Sequence, residues 1–107
     1  MAQRNLQMAV EAGVRIVMGT DAGVSPERFP GYFEHREMEL MVQSGVRPGE
    51  VLRAATIDAA QAMSRGTGTI AVGEWADLLV LDADPLKDIA NARLISSVWI
   101  AGNQVGR

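Results

Sequence analysis

The sequence predicts an α/β fold that gives way to β structure in its last third. Three observations lead there. A near-continuous apolar run, VRIVM at 14–18, follows a helical pattern and stops at Gly19-Thr20. A stripe of Val51, Leu52, Ala55, Ala59, Ala62 and Met63 repeats at helical spacing. From Thr67 onward that period is lost, and short apolar runs alternate with turn residues.

Each element has its own warrant. Residues 3–12 read as a helix with Leu6, Met8, Ala9, Val10 and Ala12 on its apolar side and Gly13 at the stop. Residues 14–20 read as a strand. Val14, Ile16 and Val17 are β-branched, and the unbroken apolar run suits a strand buried on both faces. Residues 21–34 form a loop, because Pro26, Pro30 and two glycines break regular structure. Phe29, Tyr32 and Phe33 are apolar for a plain surface turn, which marks the loop as functional. Residues 35–44 are the next helix, with Met38, Met41 and Val42 on one face and Glu37 and Glu39 on a solvated one. Residues 47–66 form a single long helix, with Pro48 in its first turn.

Beyond Thr67, two short strands flank a Gly73-Glu74 turn. Asp84 before Pro85 caps a short helical turn. Asp77, Asp82 and Asp84 suit turn chemistry rather than a carboxylate site. A last strand runs through 94–105 with a turn at Gly102-Asn103, and Trp75 and Trp99 serve sheet packing. The change of pattern divides the chain into residues 1–65 and 66–107.

Composition narrows the function. The 107 residues are 48% apolar and 21% charged, with a net charge of −3. One small globular domain fits, and disorder does not. No basic patch tracks phosphates, so nucleic acid is not an expected partner. No apolar run spans a bilayer, and no signal peptide precedes residue 14, which points to a cytoplasmic protein without a membrane partner. The chain has no cysteine and one histidine, His35, so thiolate chemistry is excluded. Asp21 stands out, because a buried-looking strand ends on this single acid. It either caps a turn or is aimed at a ligand.

Four phrases carry a resemblance: AGVRIVMGTDAGV (12–24), EMELMVQSGVRPGEVLRAAT (37–56), GTIAVGEWADLLVLDADPLKDI (68–89) and VWIAGNQV (98–105). In this order they resemble the C-terminal portion of the metal-dependent amidohydrolase superfamily, in its imidazolonepropionase-like and Xaa-Pro-dipeptidase-like branch. The resemblance implies a (β/α)8 barrel joined to a small β-sandwich built from both chain ends. Residues 14–20 would be the eighth barrel strand, and residues 66–107 part of the sandwich. The active site would lie at the C-terminal end of the barrel strands.

Asp21 then falls on the strand-eight aspartate, which binds the metal, in this family most often Zn2+. The same residue serves as general base. One oxygen ligates the ion while the other takes a proton from water whose pKa the metal lowers to about 7. His35 and Tyr32 would contact substrate from the loop and helix that follow. The implied reaction is hydrolysis of a C–N bond in a small amide, cyclic amide or peptide.

The chain also departs from the family pattern. It has no His-x-His, and its one lysine, Lys87, lies in the sandwich portion. One carboxylate does not hold a catalytic zinc, which takes about three protein ligands. One strand of eight cannot close a barrel. The chain therefore reads as a fragment, inactive and without metal when alone. The rival expectation is a non-catalytic module that forms a homo-oligomer or binds a complementary chain.

Overall fold

The structure, a computed structural model, describes residues 2–106. Its helical half is α1 (Ala2–Glu11), α2 (Tyr32–Gln43), α3 (Pro48–Ala55) and α4 (Ile57–Ala62). α2 begins three residues earlier than the pattern suggests. The Glu34 carboxylate reaches back to accept the Gly31 N–H at 2.6 Å and so holds the first turn.

The long helix expected over 47–66 breaks at Thr56, whose backbone sits at φ −123, ψ −94. In an unbroken helix the Ala54 carbonyl would accept from residue 58. Instead it accepts the Met18 N–H at 3.1 Å. The Thr56 hydroxyl meanwhile donates to the Leu52 carbonyl at 2.7 Å, a back-bond that competes with the helical ladder.

Residues 14–20 are not a strand, although their sequence reads as one. Among the described residues no strand lies beside them to complete a ladder. Nor are they buried on both faces. Ile16, Met18 and Thr20 are half-buried, while Arg15, Val17 and Gly19 are exposed. One face rests on the helices and the other is open.

The core gathers Met38 and Met41 from α2, Val46, and Val51 and Ala54 from α3, with Leu6, Val10, Ile16 and Met18 packed around it. Val51 is fully buried. Ile89 and Ala92, from a short 3-10 helix at Ile89–Arg93, complete this core. It therefore draws on residues from both sides of the pattern change near 66.

The C-terminal sheet has the order β1 (Leu78–Leu81), β2 (Ile95–Ile100) and β3 (Asn103–Val105), all antiparallel. A bulge interrupts the β1–β2 register between Val80 and Leu81. Residues 68–72, expected as a strand, pair with no strand among the described residues and leave Ile70 91% exposed. The β2–β3 turn falls on Ala101-Gly102, one residue before the expected place, because these two adopt successive positive φ values of 50 and 76.

Asp77 secures that turn by accepting the Ala101 N–H at 2.8 Å, and Asp84 accepts the Leu86 N–H at 2.8 Å. Both match the turn chemistry read from the sequence. Trp75, expected to pack in the sandwich, is 63% exposed.

Candidate functional site

Asp21 sits where the open segment turns into the loop. It is exposed, and its backbone lies in the left-handed region at φ 52. That conformation costs a non-glycine residue about 1–3 kcal/mol, although Asp tolerates it better than most. The carboxylate caps nothing among the described residues. Capping falls to Thr20, whose Oγ1 accepts the Ala22 N–H at 3.1 Å. Asp21 is thus a turn residue through its backbone, whose carbonyl accepts the Val24 N–H at 3.2 Å, while the side-chain capping role falls to its neighbour Thr20.

The loop behind Asp21 is closed by Arg28. Its guanidinium donates to the Thr20 carbonyl at 3.0 Å. Its own carbonyl accepts the Gly23 N–H at 2.8 Å, and its N–H donates to the Ser25 carbonyl at 3.0 Å. Neither Thr20 nor Arg28 was singled out by the sequence. The only signal was a lone arginine in a proline-broken loop.

His35 lies one turn into α2, half-buried. It lines a cavity of about 560 Å³ together with Met18, Met38, Leu52, Leu78 and Leu81. Its Nδ1 is buried without a hydrogen-bond partner. Burial lowers the imidazole below its ordinary pKa, and the nearby Arg93 guanidinium lowers it further. Glu39 and Glu34 pull the other way. Met18 belongs to the helix-facing side of the open segment, and Asp21 does not line this cavity.

Tyr32, half-exposed at the start of α2, stacks edge-on against Phe33 at 5.2 Å. The Arg93 guanidinium lies over its ring at 5.4 Å. Arg93 also donates from Nε and Nη2 to Glu39 Oε1 at 2.9 and 2.8 Å, while Arg36 reaches Glu39 Oε2 at 3.2 Å. Glu39 is therefore a clasped, largely covered carboxylate rather than part of a solvated face. The Arg93 hydrogen bond, with Arg36 beside it, holds its pKa below the usual carboxylate value. The sequence could not signal this pair, whose members are 54 residues apart.

Tyr32 and His35 thus share the first turn of α2 and the neighbourhood of Arg93, whereas Asp21 lies outside the cavity that His35 lines. Among the described residues no group of three or more His, Asp or Glu side chains is placed to hold a metal ion. The side chains of this chain do not fit a catalytic metal by themselves.

A family model described as the amidohydrolase family matches residues 2–105. The imidazolonepropionase of Geobacillus sp. (strain WCH70) is 37% identical over 81 residues, covering 73% of this chain and 19% of that protein. Among solved structures, molinate hydrolase superposes with a TM-score of 0.87 at 33% identity, over 94% of this chain and 25% of that one. A Xaa-Pro dipeptidase with bound methionine in its active site gives 0.84 at 26% identity, over 98% and 25%. The chain spans about a quarter of the length of these solved relatives.

Proposed function

The chain belongs to the amidohydrolase family, and from that premise we propose that it is the C-terminal section of a metal-dependent hydrolase of C–N bonds. In this reading residues 14–20 are the last barrel strand, residues 1–65 the terminal barrel segment, and residues 66–107 a share of the β-sandwich. The observation that carries the reading is Asp21. Its carboxylate accepts no hydrogen bond among the described residues, and its left-handed backbone ends a segment whose other face, at Arg15, Val17 and Gly19, is exposed. Asp21 would be one ligand, with Zn2+ the favoured ion. The other ligands would come from sequence outside these 107 residues.

The substrate class is a small amide, cyclic amide or peptide. His35 and Tyr32 are carried as substrate contacts because both follow the Asp21 loop on α2. Two measurements test the reading. The 107-residue chain alone should bind zinc well below one equivalent. In a full-length protein containing this section, Asp21→Asn should lower both the zinc content and the turnover by at least about 100-fold. Full zinc occupancy and turnover in Asp21→Asn would exclude Asp21 as ligand and base. Raised KM with unchanged kcat in His35→Ala or Tyr32→Ala would support substrate contact.

A second reading rests on the apolar side chains left in solvent, among them Val24, Ile70, Val72 and Leu79. It makes the chain a non-catalytic assembly module that covers these residues with a second copy or a complementary chain. Light scattering separates the two, since a monodisperse monomer across concentrations is incompatible with a self-assembling module.

A further inference from the structure

The geometry points to Arg28 as a positioning residue for Asp21, a role that rests on the reading of Asp21 as the reactive carboxylate. A backbone conformation is set by the two peptide planes on either side of a residue. For Asp21, the plane before it contains the Thr20 carbonyl, and the plane after it contains the Asp21 carbonyl and the Ala22 N–H.

The second plane is held at both ends. The Asp21 carbonyl accepts the Val24 N–H at 3.2 Å, and the Ala22 N–H donates to Thr20 Oγ1 at 3.1 Å. The first plane is held by the Arg28 guanidinium on the Thr20 carbonyl at 3.0 Å. Rotating φ of Asp21 out of the left-handed region while the second plane stays fixed would swing that carbonyl away from Arg28. Arg28 thus acts as a latch on the dihedral that aims the carboxylate.

The latch is itself anchored. Its carbonyl accepts the Gly23 N–H and its N–H donates to the Ser25 carbonyl, so the guanidinium is tethered to the turn it closes. Arg28 is exposed and makes no packing contribution to the core. Its removal should therefore act on the loop and leave the helices alone.

The test uses the full 107-residue chain and reads the backbone directly. Solution NMR of the parent should give the strong intraresidue amide–Hα cross-peak of a left-handed residue at Asp21. Arg28→Ala should weaken that signature and lower amide-exchange protection at Gly23 and Val24 by about 10-fold or more. The Met41 and Val51 amides of the core should not change. Arg28→Lys, which keeps a donor and a charge, should restore part of both. Loss in neither variant, or loss spread equally through the Met41 and Val51 amides, overturns the assignment. Asp21→Asn keeps the left-handed backbone, because Asn tolerates it. Unchanged metal uptake in a full-length Asp21→Asn protein would remove the ligand reading, whereas a lost Arg28 effect would remove the latch.

Discussion

The helical half and the sheet half of this chain use similar side chains to opposite ends. In the first, Met38, Met41, Val51 and Ala54 are buried against one another. In the second, Ile70, Val72, Leu79 and Ile100 face solvent. The helices find partners within the chain, because adjacent helices pack through their own ridges and short connections bring them together. Among the described residues the sheet has three strands, so Leu79 and Ile100 stay in solvent, while Leu78 and Leu81 look into the cavity shared with the helices. Closure of a core depends on which neighbours are present as much as on how apolar the sequence is.

Truncation variants should break the symmetry of this comparison most. Met41→Ala should cost about 2–5 kcal/mol in a denaturant titration, whereas Leu79→Ala should stay within about 0.5 kcal/mol. Equal effects would mean that the sheet is covered in solution. The next largest effect is expected at Gly68, which joins the halves. A Cβ there would lie 2.9 Å from both the Ala60 Cβ and the Thr56 carbonyl, with φ at +90. Gly68→Ala should cost roughly 2 kcal/mol.

Arg93→Ala removes the bridge from the 3-10 helix to α2 and the contact over Tyr32. Both groups are partly solvated, so about 1 kcal/mol should be lost in the same titration.

The smallest effect concerns pH. The pKa of His35 is lower in the folded chain than in the unfolded one, so between those values the unfolded state binds more protons. Stability should then fall as pH drops through the range below the ordinary histidine value and level off beneath the folded value. Glu39 has its pKa lowered by Arg93 and Arg36. Its contribution is present above the ordinary carboxylate value and is lost as pH falls through its lower folded value. Midpoints measured in both windows check the order, and His35→Gln should flatten only the upper one.

Much of the helical half was legible in the sequence, because apolar spacing and terminal glycines are local signals. Residues 14–20 carry every local mark of a strand, yet a strand needs a partner strand, and among the described residues none lies beside them. The break at Thr56 was hidden for a related reason, since the competing donor is Met18, thirty-odd positions away in sequence. At the candidate site the sequence singled out Asp21 but left open whether it caps a turn. Thr20 resolves that by doing the capping. Glu39 looked solvated because its partner lies far along the chain.

Ile89 and Ala92 belong to the helical core although they follow the change of pattern. A polypeptide emerging N-terminus first would hold α1, α2 and α3 around an unfilled gap until these residues arrive. A protease cutting between residues 66 and 77 would not release an independent helical piece. A recombination event placed there would carry off part of the packing that the helices need. A cut at that seam would part Ile89 and Ala92 from the helices they pack against.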